Sequence, residues 1–141
     1  MARFLLASAV WAVLALWALP VQAASMPVDE PVVLANAITA VCAGIGESQD
    51  DPRWAAYSVR IEFANAANQY IAGVDLTLNQ GRKVLAHLSC SGAWLLFQLP
   101  SGRYEVSATR QDAPQAAPAS AAFTPPAKGQ KRVVLIFKSK S

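Results

Sequence analysis

Cys42, Cys90 and His87 are the residues of this 141-residue chain best suited to chemistry; it holds two Cys and one His in all. A structural Cys/His zinc site takes four protein ligands, more than the three supply. A nucleophilic thiol needs a base beside it. His87 stands three positions from Cys90, and on a strand an odd separation puts two side chains on opposite faces. The geometry argues against a Cys/His nucleophile. A disulfide is the expected use of the pair, with two buried free thiols as the alternative. Only one connectivity exists. The bridge would close a loop of about 47 residues and contribute roughly 3–4 kcal/mol.

The remaining constellations are weaker. Glu47, Asp50 and Asp51 form an acidic group on one loop, without the six or so controlled oxygens that calcium needs. Capping and solubility account for them. Arg53 and Trp54 are adjacent and could present a stacking surface for a sugar or peptide, or Trp54 could staple a short helical turn onto the domain. Lys128, Lys131, Arg132, Lys138 and Lys140 make the end of the chain basic, which suits a protected edge strand or an anionic envelope polymer. No catalytic residue, metal or cofactor is expected.

The formal charge is +3, too small for a nucleic-acid binder working by bulk electrostatics. Apolar residues make up 54% and crowd into the first 23 positions. There Arg3 precedes an apolar run over 4–19, interrupted only by Ser8 and closed by Pro20, and Val21-Gln22-Ala23 follows. This is the anatomy of a secretory signal peptide over 1–23, cleaved after Ala23. A run of sixteen residues would reach about 24 Å, short of the ~30 Å hydrocarbon core. No stable membrane span is therefore expected after cleavage, and the chain is expected to be secreted or periplasmic. Such a compartment permits the disulfide.

These residues must be positioned by β-strands. Residues 24–35 read as a flexible entry, and 36–141 as one domain, with an N-terminal segment over 36–56 and a core over 57–138. Asp51-Pro52 caps a single helical turn. From Tyr57 the period is two: Val59, Ile61 and Phe63 alternate with Ser58, Arg60 and Glu62, a strand with one buried face. Val74, Leu76 and Leu78 repeat the pattern, and Asn79-Gln80-Gly81-Arg82 turns into a return strand with Val84, Ala86, Leu88 and Cys90 facing inward. Further short strands cover 94–99, 103–109, 121–124 and 131–138. About seven short strands and no sustained helical period describe an all-β Greek-key sandwich.

One stretch carries more. Residues 92–106 read Gly-Ala-Trp-Leu-Leu-Phe-Gln-Leu-Pro-Ser-Gly-Arg-Tyr-Glu-Val. The pattern of Gly, an aromatic, then Leu-Pro-x-Gly-x-Tyr-x-Val resembles that of carboxypeptidase regulatory-like domains, small transthyretin-like β-sandwiches found in exported bacterial proteins. The resemblance covers 57–137. It implies a structural role for Trp94, Leu99, Pro100, Gly102 and Tyr104. Trp94, Leu96 and Leu99 would face inward, which requires a bulge near Phe97-Gln98. One transthyretin-related branch hydrolyses a purine-pathway intermediate with more than one His and a Tyr-Arg-Gly-Ser terminus. This chain has a single His and ends Lys-Ser-Lys-Ser. The expectation is thus an exported, non-enzymatic module that binds a protein or envelope component. The alternatives are an accessory subunit pairing through a sheet edge and a small periplasmic hydrolase. Neither the partner nor the oligomeric state can be read from the residues.

Overall fold

The computed structural model describes residues 22–138. The leader expected over 1–23 lies outside the described residues, apart from Gln22 and Ala23. Ten strands run in chain order as β1 (Ala24–Ser25), β2 (Val32–Val33), β3 (Thr39–Ala43), β4 (Val59–Asn65), β5 (Val74–Gln80), β6 (Lys83–Cys90), β7 (Trp94–Gln98), β8 (Tyr104–Arg110), β9 (Ala119–Phe123) and β10 (Lys131–Phe137). They make two five-stranded sheets, ordered β1-β6-β5-β8-β9 and β10-β4-β7-β3-β2. The all-β sandwich read from the sequence is the fold. Among the described residues its helical content is three 3₁₀ turns, over 35–37, 46–50 and 52–56.

Period-two alternation builds the core between the sheets. Val59, Ile61 and Phe63 of β4 meet Val74, Leu76 and Leu78 of β5, with Leu95 and Phe97 of β7, Val106 of β8 and Leu135 of β10. Each is a β-branched, aliphatic or aromatic side chain suited to a pleated surface. The Cys42–Cys90 disulfide is formed. It joins β3 of one sheet to β6 of the other, so it ties the two layers together and does more than anchor an N-terminal segment. Gly92, in the turn between β6 and β7, lets the backbone approach β3 closely. A Cβ there would stand 2.2 Å from the Ala43 carbonyl oxygen.

Residues 24–35, expected to be a flexible entry, supply an edge strand to each sheet. β1 pairs in parallel with β6, and β2 antiparallel with β3. Met26 between them is buried in the core. Two registers also differ from the sequence reading. In the β5–β6 hairpin Leu78 pairs with Ala86 but Asn79 pairs with Val84, so Leu85 is left over as a bulge. Val84 is consequently 60% exposed and Leu85 packs against the core, the reverse of strict alternation. In β7 the reverse correction applies. Ile61 pairs with Leu95 and Val59 with Phe97 without a shift, so no bulge forms at Phe97-Gln98.

Candidate functional site

Strict alternation in β7 sends Leu95, Phe97 and Leu99 into the sandwich, and Trp94 and Leu96 to the outer face of their sheet. Trp94 is therefore buried on the opposite face from the one expected. It belongs to a second apolar cluster with Val41, Ala43, Trp54, Ala93 and Leu96. Leu99 closes the core, Gly102 adopts φ 144°, and the Tyr104 hydroxyl donates to the Pro100 carbonyl at 2.9 Å. Burial raises the Tyr104 pKa above its ordinary value.

Arg53 and Trp54 do not form a binding platform. Trp54 is 3% exposed; its indole N–H donates to the Ser48 carbonyl at 2.6 Å, and its ring packs edge-on to Tyr57. It staples the 52–56 turn over β3 and β7. Arg53 stacks on its outer side, 4.6 Å from the ring centroid, and is held by Asp51.

The outer face of that sheet also carries a buried charge that the sequence reading missed. Glu62 on β4 is 0% exposed. It stands between Val134 of β10 and Trp94 of β7, and the Tyr70 hydroxyl donates to its Oε1. Arg132 donates to both carboxylate oxygens, the Nη2–Oε1 contact being 3.2 Å. Arg60 Nε lies 3.3 Å from Oε2, an ion pair without hydrogen-bond alignment. The Arg60 guanidinium rests 4.4 Å above the Trp94 ring, a cation–π contact. Burial pushes the Glu62 pKa up, but the hydrogen bonds from Arg132 and Tyr70 and the charges of both arginines outweigh it and hold the carboxyl below its ordinary value. Alternation alone marks Glu62 as a solvent-facing residue. Its cover comes from the 65–73 loop, where Ala64 bridges to Tyr70, and nothing in the local sequence announces that.

Beside this cluster is a depression of about 500 Å³ lined by Ala64, Asn68, Tyr70, Arg132, Val134 and Ile136. Its far wall is β10, an edge strand. Among the described residues β10 has one ladder partner, β4, matched in parallel over all seven residues. Ile136 and Tyr70 are both exposed hydrophobic side chains. The opposite sheet has a polar outer face. Thr77 Oγ1 and His87 Nδ1 share a hydrogen bond of 2.8 Å, and Gln111 donates to Asp75 and Ser89. His87 is half-buried and lies on the side away from Cys90, as its spacing requires.

No protein-family model matches the chain, and no curated protein sequence does. Solved structures do match. One is the 5-hydroxyisourate hydrolase of Klebsiella pneumoniae, with 15% identity and a TM-score of 0.46, covering 60% of this chain and 92% of that one. The likeness is to a transthyretin-like fold. It also corrects one expectation. A similar solved structure is that of an enzyme, so the reading of this chain as non-enzymatic does not stand. At this identity no residue of the hydrolase is carried onto the chain.

Proposed function

We propose that the chain is an exported relative of the carboxypeptidase regulatory-like domains. In this reading it binds a protein or envelope component in an oxidising compartment, with the free edge of β10 as the contact element. The observation that carries the reading is the contrast between the sandwich's two sides. On one side β1 and β2, two residues each, lie along β6 and β3, and very short edge strands of this kind blunt pairing. On the other side β9 and β10 end their sheets, and β10 offers seven residues reading Lys-Arg-Val-Val-Leu-Ile-Phe. A regular apolar edge is a template for strand addition. The formed disulfide supports the compartment, and among the described residues no helix is long and apolar enough to cross a membrane.

Site-specific photocrosslinking in the producing cell tests the contact. A photoreactive residue at Ile136 should give a discrete adduct, and one at Val33 on β2 should not. Equal labelling at both positions, or none at Ile136, would remove the edge as the contact. Amino-terminal sequencing of the exported chain tests its delivery and should begin at Ala24. An intact Met1 form in a washed membrane fraction would reverse that part.

A further inference from the structure

We infer that the occupant of the β10 edge is an extended acidic segment of another protein, with β-branched residues at its centre, and not a second copy of this chain. The inference rests on the edge reading above and adds the chemistry of the partner. Charge is its first support. Lys128, Lys131, Arg132, Lys138 and Lys140 all follow Asp112, the last acidic residue of the chain. These five exceed the net +3, so the preceding residues sum to −2. Along the sequence, the positive character is concentrated on one strand and its flanks.

The outer face adds to it. Arg60 and Arg132 share the single carboxylate of Glu62, which leaves one positive charge in excess where the depression meets β10. Arg132 is still more than half exposed, so a carboxylate on an added strand can approach it without displacing Glu62. Val134 and Ile136 lie on the same face further along β10. An added strand would set its own side chains beside Arg132, Val134 and Ile136, asking for acid, then apolar, then apolar. Lys138 just beyond the strand asks for a second acid.

The same charges exclude self-pairing. Two antiparallel copies of β10 would bring Lys131 of each against the Phe137-Lys138 end of the other. Parallel copies would set every cation beside its twin. Like charges opposite one another destabilise a sheet, whereas opposite charges stabilise it. Neither arrangement offers a carboxylate.

Three capped eight-residue peptides distinguish the possibilities on the full exported chain with its disulfide intact. Each has a Val/Ile centre, flanked by glutamates in the first, threonines in the second and lysines in the third. Binding is read by calorimetry, and the contact by hydrogen exchange of the β10 amides. The glutamate peptide should bind about tenfold more tightly than the threonine peptide, protect β10, and lose its advantage as salt is raised. In the double variant Lys131→Glu/Lys138→Glu, two exposed positions, the lysine peptide should become the tighter ligand. Equal binding of the glutamate and threonine peptides with β10 protected would overturn the acidic partner and leave the edge reading standing. No protection of β10 by any peptide, with Ile136 silent in crosslinking, would overturn both. A salt-insensitive dimer with protected β10 amides would install the second copy as occupant and overturn the inference.

Discussion

Glu62 is the residue whose energetics depart furthest from its sequence context. A fully buried carboxylate is costly unless paired and hydrogen-bonded, and here Tyr70, Arg132 and Arg60 all converge on it. Its pKa is lower in the folded state than its ordinary value, so its contribution to stability is present above about pH 4.3 and is lost as pH falls through the folded value. Glu62→Gln should cost about 2 kcal/mol in denaturant titration. That is below the usual figure for breaking a buried pair, because Arg132 can turn to water. The variant should also flatten the fall in stability below about pH 4.3; an unchanged acid limb would show that other carboxylates dominate it. Gly92 makes a second prediction at this scale. An added Cβ would meet backbone, the Ala43 carbonyl, which cannot swing aside as a side chain can. Gly92→Ala should therefore destabilise by about 2–3 kcal/mol, and a midpoint unchanged in titration would mean that the strands can separate there at little cost.

At the scale of elements, legibility followed exposure to two different environments. β4 and β5 were readable because one face meets the core and the other is polar, the condition that makes alternation informative. β7 was misassigned because both of its faces are buried, one in the sandwich and one beneath Trp54, so the run Trp-Leu-Leu-Phe has no polar phase marker. The β6 bulge was invisible for a related reason: Val84 and Leu85 are both apolar, and only the pairing with Asn79 shows which is displaced. The outer cluster makes Trp54 a structural side chain. Trp54→Ala should cost about 3 kcal/mol, more than a surface platform would, and should raise hydrogen exchange in β3 and β7 before β5. A loss under about 0.5 kcal/mol, the range for surface substitutions, would return Trp54 to the surface. Of the candidate site, the basic composition of β10 and its place at an edge were legible; the covered carboxylate beside it is a product of topology.

For the molecule as a whole, the disulfide decides how the two layers part. The count of two cysteines and the expected compartment pointed to the pairing of Cys42 with Cys90, but only the topology shows that it spans from one sheet to the other near the short strands β1 and β2. The edge strands on that side are short. β1 and β2 contribute two residues each, whereas on the far side β10 is paired to β4 over its full length. The double variant Cys42→Ser/Cys90→Ser avoids leaving a lone buried thiol. It should lose about 3–4 kcal/mol, the loop-closure entropy for a 48-residue separation. Its amide exchange should rise first in residues 24–43 and in β6, while the β4–β10 ladder keeps its protection. Exchange that rises equally in both sheets would mean that the sandwich opens as one cooperative unit, with the covalent link raising its overall stability and favouring neither side.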